Sequence, residues 1–482
     1  MFTSTIFASI LPEILILVLG LLLLIVEPFW KDEQKRNAGW LTAGGLFVAM
    51  IVSLLFGRPG EPVAVLGGMI RFDLMGFFLK MLFMFAAAAT ALLMMDHEQA
   101  GKRGEAYLML LASLIGMNLM AASADLVMLY LSIETASIPL YVLSGFLLGD
   151  ERSTEAGFKY FLFGAMASTI MLYGFSLLFG FSGTTDLYAI AAALTSGNIS
   201  PMLAFGVVTL VVVGLGFKVS IVPFHFWAPD VYQGAPTPVA GYLSTASKAA
   251  GFAVILRLFF VAFPEFSGVW TMVFAVLAAV SMTVGNLLAL PQTNIKRLLA
   301  YSSISHAGYA MIGAVAFSQF GAASVIFYLA AYIATNLLAF GIVMAFSHVT
   351  GLEEITDYAG LSRRNPLLGL MMLAAFLSLT GMPPFGGFVA KVFVFAAGVQ
   401  ANYTWLVIVG IINSIIGVYY YLNVLKFVYL YRMPDQDEDQ HPIPLSQPYT
   451  IALVVLVLGV ILLGTVFAPF FNWSDVSALS LF

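Results

Sequence analysis

The chain has 482 residues, of which 61% are hydrophobic and 9% charged, with a formal net charge of −5. Soluble globular proteins average about 45–50% apolar and about 25% charged, so a water-soluble enzyme, a disordered chain and a nucleic-acid binder are excluded; no basic cluster is present to neutralise phosphates. Cysteine is absent, which removes disulfides, thiolate zinc sites, iron–sulfur ligation and a cysteine nucleophile, and leaves lipid as the expected solvent for most of the chain.

A membrane helix needs roughly 20 mostly apolar residues. Such runs fall near 8–28, 39–56, 72–95, 105–122, 125–148, 157–181, 202–222, 237–262, 269–290, 297–317, 322–348, 367–398, 403–430 and 449–468, about fourteen in all. The first run is too long for a secretory leader and lacks a basic start, so it reads as a retained span. No break in composition divides the chain, and 1–482 reads as a single transmembrane domain. Between the second and third runs, residues 58–71 hold glycines and prolines around a Val-rich piece and predict a small hairpin. Residues 184–195 (TTDLYAIAAALT) predict a capped amphipathic helix lying on the bilayer surface.

When alternate loops are assigned to opposite sides, one side receives Lys31, Lys35, Arg36, Lys102, Arg103, Arg152, Lys296, Arg297, Arg363, Arg364 and Arg432, and the other only Arg58 and Arg71. The positive-inside rule places the first side in the cytoplasm and both termini outside. The acidic loop from Asp435 to Asp439 falls on the cytoplasmic side as well; acids weigh little in that rule.

Seven cations fall inside predicted spans: Lys80, Lys159, Lys218, Lys248, Arg257, Lys391 and Lys426. Among the acids, Glu134 is the one read as deep. A charge at the bilayer centre costs at least about 2.5–3.5 kcal/mol on insertion scales, so such residues are functional candidates by default. Glu134 and Lys248 sit roughly 14 and 17 Å into their spans at 1.5 Å per residue, near the midplane. Lys159 lies close to a cytoplasmic end and can snorkel. Lys80, Lys426 and Arg257 are read as structural. Lys218 precedes Pro223 in GFKVSIVPFHFWAPD, and Lys391 follows Pro384 in GMPPFGGFVAKVFVF. A proline frees a carbonyl, which in lipid needs a protein or water partner. A broken helix beside a lysine is how transport proteins make a polar pocket at mid-depth.

A desolvated lysine gives up its proton readily, and a nearby carboxylate restores the ammonium. A carboxylate–lysine pair is therefore a two-state element, and lysines in series can pass a proton with water between them. His225, just after Pro223, and His306, early in a span, could bridge such steps. No two histidines share a helix at a spacing suited to stacked haems. Tyr301, Ser302, Ser303, Ser305, Tyr309, Tyr332, Thr335 and Asn336 thread the same region, either as helix–helix glue or as anchors of a water wire.

LYLSIETASIPLYVLSGF (129–146), GFKVSIVPFHFWAPDVYQGAPTPVAGYLSTASKAAGF (216–252), KRLLAYSSISHAGY (296–309) and GMPPFGGFVAKVFVF (381–395) resemble the antiporter-like membrane subunits of proton-pumping NADH:quinone oxidoreductase, respiratory complex I. Lys391 and SIIGVYYYLNVLKFVYLYRMP (414–434) look like the N-type branch. The M type is expected to carry Glu at position 391, and the L type to extend into a long lateral helix. Subunits of multi-subunit sodium/proton antiporters share the Glu and Lys positions and form the alternative reading.

The resemblance implies an all-α polytopic membrane protein with two inverted five-helix repeats, each holding one broken helix. Three N-terminal helices (1–104) precede the first repeat (105–262); the second repeat (269–432) is followed by a C-terminal helix (449–468). It implies that Glu134 and Lys218 interact, that Lys248 connects the halves with His306 nearby, and that Lys391 ends the other half-channel, with His225, His306 and Lys159 on a secondary path. Protons would move from cytoplasm to periplasm across the bacterial inner membrane. This chain would hold no cofactor; FMN, iron–sulfur clusters and quinone would belong to the rest of the complex. The expected partners are other complex I membrane subunits, including a neighbouring antiporter-like one, and membrane lipids.

Overall fold

The structure is a computed structural model that describes residues 2–196, 200–432 and 442–482; the acidic loop at Asp435–Asp439 and His441 lie outside the described residues. The chain runs through α1 (Phe2–Ser9), α2 (Leu11–Val26), α3 (Asn37–Phe56), β1 (Val63–Val65), β2 (Ile70–Phe72), α4 (Leu74–Met94), α5 (Gly104–Ala122), α6 (Leu126–Ser144), α7 (Glu151–Ser182) and α8 (Leu187–Ser196). It continues through α9 (Pro201–Val219), α10 (Trp227–Gly234), α11 (Thr237–Tyr242), α12 (Lys248–Ala262), α13 (Ser267–Ala289), α14 (Ile295–Val315) and α15 (Gln319–Thr350). The last helices are α16 (Leu361–Arg364), α17 (Pro366–Thr380), α18 (Gly386–Gln400), α19 (Thr404–Tyr429), α20 (Gln447–Thr465) and α21 (Phe467–Ala478).

Each apolar run lies on one of these helices or on a broken pair. Among the described residues, twelve helices are long and apolar enough to cross a membrane. The expected count of fourteen is not reached by that measure, for two reasons. The run at 297–317 forms α14, whose serines, histidine and tyrosine dilute its hydropathy. The run at 367–398 is split into α17 and α18, each too short to span alone.

Starts of helices are set by short polar side chains that accept from otherwise unpaired backbone N–H groups. Asp125 accepts from the amide of Val127 at 2.8 Å, Asp150 from that of Arg152 at 2.8 Å, and Asn294 from that of Lys296 at 3.0 Å. The hairpin expected at 58–71 is present, with Val63 opposite Phe72 and Val65 opposite Ile70. The expected surface helix is α8. Asp186 caps it at the amides of Tyr188 (2.8 Å) and Ala189 (2.9 Å), and Leu187, Ile190 and Leu194 form its buried stripe.

The α11–α12 segment and α15 are buried along their whole apolar length, whereas α2, α3 and α7 bury only a third of theirs. The former are therefore the axis and the latter the periphery. The two helix breaks match. After α9 the chain turns at Ser220 (φ 60°), and after α17 at Gly381 (φ 86°); each turn lies beside a proline-containing stretch before the next half-helix begins. In chain order each break falls in the fourth helix of a group of five. Five is odd, so consecutive groups cross in opposite senses, which is what an inverted repeat requires.

One span departs from expectation. The run at 237–262 is not a continuous α-helix: residues 243–247 form a turn of π-helix directly before Lys248. The extra residue in that turn rotates α12 about its axis relative to α11, and π-turns of this kind concentrate at functional sites.

Candidate functional site

The three lysines near the breaks and the π-turn are buried: Lys218 is 3% exposed, Lys248 2% and Lys391 7%. Lys218, one residue before the end of α9, donates from Nζ to Ser137 Oγ on α6 at 2.9 Å. Glu134, one turn earlier on α6, does not make the expected direct pair. Its buried Oε1 has no hydrogen-bond partner, and the carboxylate sits at a flank where Leu131 and Ile138 are each 55% exposed. Ser137 thus occupies the place at the ammonium that sequence reasoning gave to Glu134.

The helix that begins at Lys248 packs against the one that carries Lys218. Gly251, one turn after Lys248, faces the lysine stem so closely that a Cβ there would lie 3.2 Å from Lys218 Cγ and 2.6 Å from Val219 Cγ1. Glycine is what allows α12 to approach α9. Lys248 Nζ donates to Ser303 Oγ at 2.8 Å and to the Ser303 carbonyl at 3.0 Å, on α14.

From Ser303 the polar residues of α14 lead onward. Ser302 is hydrogen-bonded to the Tyr421 hydroxyl, which lies 3.3 Å from His306 Nε2. His306 Nδ1 is 2.6 Å from the Tyr328 hydroxyl, and its ring stacks on Tyr332. Next to His306 is a cavity of about 10 Å³ bounded by Tyr332, Thr335, Ser378, Leu379 and Gly387, near the size of a single water. Lys391 Nζ donates to the far side of that wall, to the carbonyls of Leu379 (3.2 Å) and Thr380 (2.8 Å), and lies 4.7 Å from the Tyr309 ring centre. The negative end of the α17 dipole meets the ammonium there.

The secondary candidates separate. His306 is on this line. His225 lies in the first break, 5% exposed, with Nδ1 unpartnered and no hydrogen bond to the other candidates. Lys159 belongs to an ion-pair network at the face carrying the basic loops. Its Nζ is 2.5 Å from Asp230 Oδ2 and 2.6 Å from Glu155 Oε1, and Asp230 Oδ1 accepts from Arg297 at 2.8 Å. That network ties α7 and α14 to α10.

Sequence reasoning missed two buried acids. Arg257 forks onto Asp73 with both carboxylate oxygens, at 2.7 and 2.9 Å, and also donates to the Ala121 carbonyl. Lys80, 3% exposed, pairs with Glu13 at 2.7 Å, so it is enclosed by protein rather than snorkelling. Both acids lie within a few residues of a span end, where counting depth along one helix marks them as interfacial. Lys426, by contrast, is exposed near the end of α19, beside the Phe427 and Tyr431 rings.

Residues 123–417 match the family described as NADH:quinone oxidoreductase/Mrp antiporter, TM. The chain is 44% identical to NADH-quinone oxidoreductase subunit N of Moorella thermoacetica, over 98% of each chain. It is 40% identical to the subunit N of Heliobacterium modesticaldum, over 99% of this chain and 100% of that one. Among solved structures it is similar to a chain of respiratory complex I from Thermus thermophilus, with TM-score 0.79, 33% identity and coverage of 96% and 98%. It shares the fold of a chain of the Mrp complex from Dietzia sp., with TM-score 0.87, 20% identity and coverage of 100% and 98%.

Proposed function

Because the chain belongs to the NADH:quinone oxidoreductase/Mrp antiporter transmembrane family, as a subunit N of the complex I type and hence a proton-translocating membrane subunit, we propose that its protons travel through Glu134, Lys218, Lys248, His306 and Lys391. The observation that carries this reading is the continuity of the buried polar line. Ser137 meets Lys218, Gly251 lets the helix of Lys248 close onto Lys218, Lys248 meets Ser303, the neighbouring Ser302 reaches His306 through Tyr421, and one small cavity separates His306 from the carbonyls that hold Lys391.

Each lysine rests on neutral oxygens, so none is locked in a buried ion pair that would fix its charge. Glu134, one turn before the Ser137 that receives Lys218, makes no direct pair with it. Moving one charge against 100 mV takes about 2.3 kcal/mol, so successive proton sites need only modest differences in free energy. Hydroxyl and imidazole groups between the lysines both accept and donate, as a relay through water requires. In this reading the chain holds no redox group; quinone reduction proceeds in other subunits and drives the lysines through charge changes at their shared boundaries, beginning at Glu134. The faces carrying the basic loops and the two termini are cytoplasmic and periplasmic, respectively, in a bacterial inner membrane, and lipid surrounds the periphery. Residues 105–262 and 269–432 act as the two half-channels.

The test is Glu134→Ala and Lys391→Ala in the assembled complex, with NADH-driven acidification of inverted membrane vesicles as the readout. Loss of pumping with assembly intact is expected. Unimpaired pumping would reduce the chain to a scaffold. Sodium-dependent transport would favour the antiporter alternative, which the fold alone does not separate because the Mrp chain superposes as well as the complex I chain.

A further inference from the structure

Among the described residues, the polar line from Lys218 to Lys391 has no link, in its hydrogen bonds alone, to either solution. A large polar cavity of about 660 Å³ opens at the face that carries the basic loops. It is lined from the α4–α5 and α6–α7 loops, the α10–α11 junction, the start of α14, the end of α15 and the start of α20. Five carboxylates and two fixed cations face it, so it concentrates protons and excludes anions.

Its wall is tied by a backbone bridge, with Ile295 N–H donating to the Glu353 carbonyl at 3.0 Å and Ile355 N–H to that of Thr293 at 2.7 Å, and by a buried lysine. Lys296, 4% exposed, pairs with Glu353 at 2.9 Å and reaches the Ala235 carbonyl at 3.4 Å. Asn294 donates to the other Glu353 oxygen at 3.3 Å. The Tyr449 hydroxyl, on a side chain 2% exposed, lines the cavity without a protein partner.

Two segments packed side by side run between the cavity and the lysine line. Thr237 on α11 is eleven residues before Lys248, and Ser347 on α15 is eleven residues after Asn336, roughly 16 Å in each case at 1.5 Å per residue. At the inner end Asn336 donates to Ser244 Oγ at 2.7 Å and to the Tyr332 hydroxyl at 3.1 Å. Ser244 is one turn before Lys248, and Tyr332 stacks on His306. Asn336 Oδ1 is buried and without a protein partner, at a cost that hydrogen bonding to water would offset.

We propose that this cavity is the mouth through which protons from the solution at the basic face reach Lys248, by way of Asn336 and Ser244. The proposal rests on the reading of Lys248 as a proton-carrying site and adds where that site is loaded: from the junction between the two repeats rather than from the Glu134 flank.

The absence of cysteine from this chain allows a direct test. Ser347→Cys, in the assembled complex, is exposed to a membrane-impermeant cationic methanethiosulfonate reagent in inverted and in right-side-out vesicles. The same variant before reaction serves as the reference, and the cysteine-free chain treated alike controls for other subunits. The expected result is reaction from the basic face only, with a severalfold fall in NADH-driven proton pumping. Complete reaction with pumping unchanged, reaction only from the opposite face, or no reaction from either would overturn the proposal. Should Ser347→Cys fail to assemble, Met344→Cys on the same wall takes its place. Lys248→Met separates the two claims. If it still pumps, the reading of the lysine axis falls together with the mouth. If it is inactive while the modified cysteine variant pumps normally, the mouth alone falls.

Discussion

Lys391 Nζ, on the second half of a broken helix, donates at 2.8 Å to the carbonyl of Thr380, the last residue of the first half. The break and the lysine are therefore one feature. The chain reversal at Gly381 exposes carbonyls that no backbone N–H can reach, and the ammonium returns to cap them. Gly381 is required both for its left-handed backbone and for room, because a Cβ there would lie 2.8 Å from Lys391 Cδ.

Lys391→Met is expected to assemble and to lower NADH-driven pumping in inverted vesicles by about tenfold or more, the factor that corresponds to 1.4 kcal/mol. It also leaves two carbonyls unpartnered, which costs about 1–3 kcal/mol of stability, so assembled complex on native gels is measured alongside. Lys391→Arg retains the charge and the cap but not the compact ammonium, and is expected to assemble well while pumping poorly.

His306 joins Tyr328 and Tyr421 across its two ring nitrogens. His306→Phe keeps the stacking on Tyr332 and removes both hydrogen bonds. Pumping is expected to fall severalfold with little loss of assembled complex. Full pumping by His306→Phe would place the proton route elsewhere.

The Asp73–Arg257 pair is structural, and its removal is expected to act on folding rather than on transport. Breaking a buried pair by deleting one partner costs about 3–5 kcal/mol. Arg257→Ala is thus expected to reduce the amount of assembled complex sharply. Arg257→Lys cannot reproduce the bidentate fork and is expected to rescue it only in part. Thermal stability of the solubilised complex distinguishes these outcomes.

His97 lies in the α4–α5 loop, at the rim of the polar cavity. Burial, reinforced by the positive charges of Lys296 and His348 and opposed by Glu98, lowers its pKa from 6.5 to about 4. The imidazole is therefore neutral in the folded chain at neutral pH, and its contribution to stability is fully present above the unfolded value of about 6.5. As pH falls from there towards 4, the unfolded chain binds a proton that the folded chain refuses, and stability declines. His97→Gln is expected to flatten the dependence of the thermal midpoint on pH across that window. An unchanged slope would show that other groups set it.

The sequence by itself determined the membrane class, the positions of the apolar runs, the two breaks and the identity of the buried lysines. All of these come from one-dimensional physics: the length of an apolar run, the donor that proline lacks, and the cost of a charge in lipid. The tertiary structure decided what each charge touches. It put Ser137 rather than Glu134 at Lys218, set a π-turn before Lys248, enclosed Glu13 and Asp73, and opened a polar cavity at the face of the basic loops. The physical reason is that lipid and protein core are almost equally apolar. Helices of this kind carry little periodic signal of which face turns inward, so depth is legible by counting residues while rotation about the helix axis is fixed only by packing.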